Sequence, residues 1–147
     1  MNRRLAFIAL LTVAFVLATS RFSFAKDQIE GKWYNEEKTA KVEIYLAKNG
    51  KYYGKIVWLK DPEKNGKPRT DEHNPKESER DKPLMGLLLL KSFVKDGNVY
   101  EDGSIYDPKN GKTYSCKITY KNANTLSIRG YIGISMIGRT TTWTRAE

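Results

Sequence analysis

A chain of 147 residues with 26 Lys and Arg against 17 Asp and Glu carries a formal charge of +9. That length gives one hydrophobic core and excludes two. Cys116 is the only cysteine, which excludes a disulfide framework and leaves the core to hold the fold.

The chain opens on Arg3 and Arg4, continues through an uncharged apolar run over 5–18, and reaches Ser23-Phe24-Ala25, with small residues at the two positions a signal peptidase reads. This is the pattern of a secretory signal peptide cut after Ala25. The competing reading, a membrane-spanning helix, asks for ~20 apolar residues, more than the run supplies. The expected division is a signal peptide over 1–25 and one domain over 26–147, periplasmic or secreted, with no membrane span after cleavage. The leader holds Arg3, Arg4 and Arg21 and no acid, so the charge falls from +9 to +6 without it. Export and the even spread of Lys and Arg argue against a nucleic-acid partner.

Beyond the leader, turn signals recur. Asn49-Gly50, Asn65-Gly66, Asp96-Gly97, Asp102-Gly103 and Asn110-Gly111 are pairs that tolerate positive φ. Between them lie short runs rich in Val, Ile, Tyr, Trp and Thr, many of period two. These predict strands over 29–35, 40–47, 51–59, 86–94, 98–106, 112–120, 125–134 and 138–145. The Leu-rich 84–88 reads as a helix-like turn or a buried strand. About eight hairpin-linked strands predict an all-β, antiparallel, up-and-down barrel or a sandwich. The barrel is favoured because closure hides the sheet edges.

One segment breaks the rhythm. Residues 60–82 hold Pro62, Pro68 and Pro75 with seven basic and seven acidic residues. A charged loop of this length is functional or simply mobile and solvated.

The catalytic inventory is poor. His73 is the only histidine, and no nucleophile–base pair or metal-ligand spacing surrounds it. Catalytic residues, a metal and a cofactor are not expected, and the chain reads as a non-enzyme. Cys116 alternates in phase with Tyr114, Ile118 and Tyr120, which predicts a packed, inert thiol. In a closed barrel the first and last strands are neighbours, so Trp33 and Arg145 are expected to meet as a cation–π pair sealing one end. Arg139, Thr141 and Trp143 share one face of their strand. If Trp143 points inward, Arg139 does too, and a buried arginine needs a partner. Asp71, Asp107 or the anionic group of a ligand would serve.

These residues resemble the bacterial family called domain of unknown function 2147. The resemblance rests on Gly31-x-Trp33, Tyr53-Gly54-Lys55-Ile56, Asp71-x-x-Asn74-Pro75, and Arg80 followed by Leu84-x-Gly86. It continues with Gly103-x-Ile105-Tyr106-Asp107-Pro108-x-x-Gly111-x-x-Tyr114, Arg129-Gly130-Tyr131-x-Gly133, Gly138-Arg139 and Trp143-Thr144-Arg145, and it spans essentially the whole domain. It implies a lipocalin-like β-barrel in an exported protein, without an established catalytic activity or ligand.

The expected function is therefore a lipocalin-like binding protein for a small hydrophobic or amphipathic ligand. Trp58, Tyr114 and Trp143 would form apolar walls, and Arg139 or Arg129 would meet an anionic head. Asp71, Asn74 and Arg80 would latch the long loop over the mouth or line the entrance. The alternative is a ligand-free structural or interaction module of the cell envelope, working through its surface or its loop.

Overall fold

The computed structural model describes residues 25–134 and 136–146; the signal-peptide reading lies outside the described residues. Ten strands follow in chain order: β1 (Gly31–Tyr34), β2 (Ala40–Leu46), β3 (Tyr52–Leu59), β4 (Glu63–Lys64), β5 (Lys67–Pro68), β6 (Leu88–Asp96), β7 (Val99–Asp107), β8 (Lys112–Asn122), β9 (Thr125–Tyr131) and β10 (Gly138–Ala146). Eight of them close into an antiparallel barrel in the order β1-β10-β9-β8-β7-β6-β3-β2. β4 and β5 form a separate small hairpin inside the long charged loop, followed by a 3-10 turn at Glu77–Glu79. The eight expected segments are the eight barrel strands, their ends displaced by at most about three residues. The Leu-rich stretch is a turn, with the Leu87 amide donating to the Leu84 carbonyl at 3.0 Å, before β6 begins.

Alternation decides the faces. Val42, Ile44, Ile56, Cys116, Ile118, Leu126, Ile128 and Trp143 are buried inside, and the polar residues between them face out. Closure brings Trp33 opposite both Val42 and Arg145.

The two ends of the barrel differ. At one end Trp33, Tyr52, Phe93, Tyr100 and Ile29 pack into a solid plug. The Arg145 guanidinium lies 3.8 Å from the Trp33 ring centre. It also donates to three carbonyls, those of Gln28 (2.7 Å), Glu30 (2.9 Å) and Ala123 (2.9 Å), and the Trp33 indole donates to the Ile29 carbonyl. Gly31 is required here: its φ is +128°, and a Cβ would come within 2.8 Å of Arg145. Asp27 completes the plug by accepting from Lys95, Tyr100, Tyr52 and the Ile29 amide. Burial alone would raise the Asp27 carboxyl, but these hydrogen bonds outweigh it and hold its pKa below the usual aspartate value.

Two expectations are corrected by irregular strands. Asp102-Gly103 is not a turn; it lies inside β7, where the register shifts and Asp102 takes φ of 60°. The irregularity lets Phe93 lie directly over Gly103, where a Cβ would be only 2.5 Å from its ring. In β3, Ile56 pairs with Val42 and Trp58 with Lys41, so the register slips by one residue at Val57. That bulge turns Trp58 to the outer face. There it meets Tyr34 edge-on at 6.0 Å, with the Lys41 ammonium 5.3 Å from its ring.

Candidate ligand-binding site

The open end of the barrel is bounded by the β1–β2 turn, the long loop, the β7–β8 turn and the β9–β10 hairpin. Below it lies a cavity of about 940 Å3. Its floor and walls are apolar, built by Val42, Ile56, Leu89, Ile105, Ile128 and Trp143. Each is an inward position of its strand, so the same alternation that fills the closed half lines the open half. Gly130 keeps the wall thin, standing in β9 between Cys116 and Arg139. Polar groups enter near the mouth: Thr141, Tyr106 and the Tyr114 phenol, which accepts from the Asn110 amide at 3.1 Å.

Charges gather at the rim, and two ion pairs form there. Arg139 reaches Glu36 at 3.3 Å and Lys109 reaches Glu37 at 2.7 Å. The Lys109 hydrogen bond and charge hold the Glu37 carboxyl below the ordinary glutamate range. Arg139 is thus not a buried cation. It shares the inward phase of Trp143 but sits four residues nearer the mouth, where its side chain is 79% exposed, and its partner is Glu36 rather than Asp71 or Asp107. Asp107 instead caps its own turn, its carboxylate accepting from the Lys109 amide at 3.0 Å.

The long loop is anchored. Asp71 is buried, and its two carboxylate oxygens accept from the Tyr106 hydroxyl at 2.7 Å and the Asn74 amide at 2.7 Å. Burial, then the bond to Asp71, pushes the Tyr106 phenol up to about 12. The Arg80 Nε donates to the Asn74 carbonyl. Further along, the β7–β8 turn packs so tightly on this loop that a Cβ at Gly111 (φ +71°) would strike the His73 carbonyl. Asp71, Asn74 and Arg80 therefore scaffold the loop, while other loop residues, Asp61, Arg69 and Leu84, border the cavity.

Of the eight residues expected to bind ligand, Tyr114, Trp143 and Arg139 border the cavity. Trp58 is outside because of the bulge. Arg129 is outside by alternation: Leu126 and Ile128 point in, and Arg129 donates across the outer surface to Thr140 Oγ1 and the Met136 carbonyl. The aliphatic lining from β2, β3, β6 and β7 is not among the expected ligand-binding residues, although its period-two phase is visible in the sequence. Cys116 is fully buried, and burial pushes its thiol up to about 12. Among the described residues no three His, Cys, Asp or Glu side chains converge as a metal site, and no helix is long and apolar enough to cross a membrane.

A closed eight-strand barrel, plugged at one end by an Arg-over-Trp pair and hollow at the other, is lipocalin-like in architecture. The chain belongs to the family described as "Uncharacterized protein conserved in bacteria (DUF2147)", which matches residues 31–145. Among solved structures it is similar to HP1028 from the human pathogen Helicobacter pylori, described as belonging to the lipocalin family. The two are 23% identical, superpose with a TM-score of 0.72, and the match covers 84% of this chain and 85% of that one. No curated protein matches the chain.

Proposed function

We propose that this protein is an exported, non-catalytic binder that holds one small hydrophobic ligand in the open half of its barrel. The observation that carries the reading is the cavity of about 940 Å3 with an aliphatic and aromatic lining, of the size and character that small-molecule sites have. The lipocalin-like architecture supports it. Because two of the three cations bordering the cavity, Arg139 and Lys109, pair with Glu36 and Glu37, and Arg69 donates to the Asp61 carbonyl, an ionic head group is not needed for capture. The ligand is best described as largely apolar, with its polar end near Thr141, Tyr114 and the mouth.

The test is titration with the uncharged fluorophore N-phenyl-1-naphthylamine, together with native mass spectrometry of the purified protein. The reading predicts saturable binding of one probe per chain, displaced by the extracted natural ligand. Thr141→Trp, which fills the cavity from an inward position of β10, should weaken probe binding by about tenfold or more without unfolding the barrel. Absence of saturable binding to the unaltered protein rejects the cavity as a ligand site.

A further inference from the structure

The cavity mouth carries a surface that ligand enclosure does not require. In the hairpin joining β9 to β10, Ile132, Ile134, Met136 and Ile137 are 69%, 59%, 84% and 66% exposed. Among the described residues they are the four most exposed large hydrophobic side chains. Soluble surfaces seldom concentrate apolar side chains on one projecting tip without a partner for it. We propose that this hairpin is a membrane-docking element that inserts its tip into the headgroup region of a bilayer containing anionic lipid.

Three features select a bilayer over other partners. The four apolar side chains fall within one narrow hairpin connection, held by the Ile132 amide on the Ile137 carbonyl (3.3 Å) and the Ile137 amide on the Ile134 carbonyl (3.1 Å), and a short apolar tip of this kind suits a fluid interface. Its charge is complementary to an anionic surface: from Thr125 to Ala146 there is no acid, while Arg129 and Arg139 flank the tip, and Lys117 lies beside Arg129 on the outer face. Glu36 and Glu37, the acids of the neighbouring β1–β2 turn, are balanced by Arg139 and Lys109, so they add no net negative charge beside the hairpin. Apolar insertion reinforced by adjacent cations is the physical basis of interfacial binding. Finally, Ile132 and Ile137 border the cavity as well as the tip, making one continuous apolar surface from the bilayer side to the interior. A hydrophobic ligand could pass along it without crossing bulk water. Membrane contact does not depend on the cavity being occupied, so the two readings fail separately.

The experiment places an environment-sensitive NBD label at the tip with Met136→Cys, and a control label at the far end of the barrel with Asn49→Cys. The native Cys116 is fully buried, which directs labelling at neutral pH to the introduced thiol. Vesicles of phosphatidylglycerol and phosphatidylethanolamine should raise and blue-shift the emission at position 136 and leave position 49 unchanged; phosphatidylcholine vesicles should do so far less. Replacing Ile134, Met136 and Ile137 together by Ser should cut flotation with the anionic vesicles by about fivefold or more, with the far-ultraviolet spectrum and melting temperature preserved. An unresponsive label at position 136, or flotation undiminished by the Ser substitutions, overturns the proposal. So does a tip label that responds to a protein extract but not to vesicles, which assigns the hairpin to a protein partner.

Discussion

Arg145 combines a ring contact with three carbonyl acceptors, and among the described residues no carboxylate forms an ion pair with it. Its planar fork can serve carbonyls from the N-terminal segment and the β8–β9 turn at once, which a lysine ammonium cannot do while stacking on an indole. Arg145→Ala should cost about 2–3 kcal/mol, summing a cation–π contact and part of the charged hydrogen bonding, and Arg145→Lys should recover less than half of it in urea unfolding. A second residue-scale prediction concerns Tyr106. Its phenol is raised from 10.0 to about 12, first by burial and then by the bond to Asp71. A group raised in the folded state stabilises the fold in its protonated form, so its contribution is complete below pH 10 and disappears as pH rises toward about 12. Tyr106→Phe should therefore lower stability at neutral pH and flatten the alkaline loss over that window, measured by thermal melting at stepped pH. An unchanged alkaline slope would show that Tyr106 is not among the groups linked to unfolding.

At the scale of elements, regular alternation was legible and interruptions of it were not. The turn pairs and period-two runs located eight strands, and the requirement that a sheet hide its edges implied closure, hence the meeting of Trp33 with Arg145. The sequence does not mark the bulge at Val57, because a bulge is one extra residue in a run whose composition is unchanged; counting in twos through it put Trp58 on the wrong face. The same count misread Arg129 for a different reason: it lies one residue out of phase with Ile128, a discrimination the alternation itself offered. Arg139 was placed on the correct face but at the wrong depth, since phase gives direction and only the third dimension gives distance from the mouth. The long loop gave its polar anchors by residue type, while their use as scaffold depends on Tyr106 of β7, distant in sequence. The outer position of Trp58 predicts a clean separation. Trp58→Ala should cost about 1–2 kcal/mol through the lost contacts with Tyr34 and Lys41, yet leave hydrophobic-probe affinity unchanged in the same titration that detects Thr141→Trp.

Across the whole molecule, one closed sheet is divided into a solid end and a hollow end, and that division separates stability from binding. The solid end draws on large aromatic side chains from four strands, with Tyr52 and Tyr100 edge-on at 5.1 Å and Trp33 and Phe93 buried in the same cluster. At the hollow end the inward residues are mostly aliphatic or small, and the described side chains leave the space above them unfilled. A barrel of eight strands has an interior just large enough for either outcome, so residue size at inward positions decides how far up the filling reaches. Truncating a side chain in the solid half removes buried area and leaves a cavity that close packing cannot repair. Phe93→Ala should thus cost about 3–5 kcal/mol, while saturable probe binding persists below the lowered melting temperature because the mouth is built by other residues. Thr141→Trp should do the reverse, with the melting temperature held or raised and binding lost. If Phe93→Ala abolished probe binding while the barrel remained folded, the plug and the cavity would form one cooperative unit, and the separation of the two ends would be wrong.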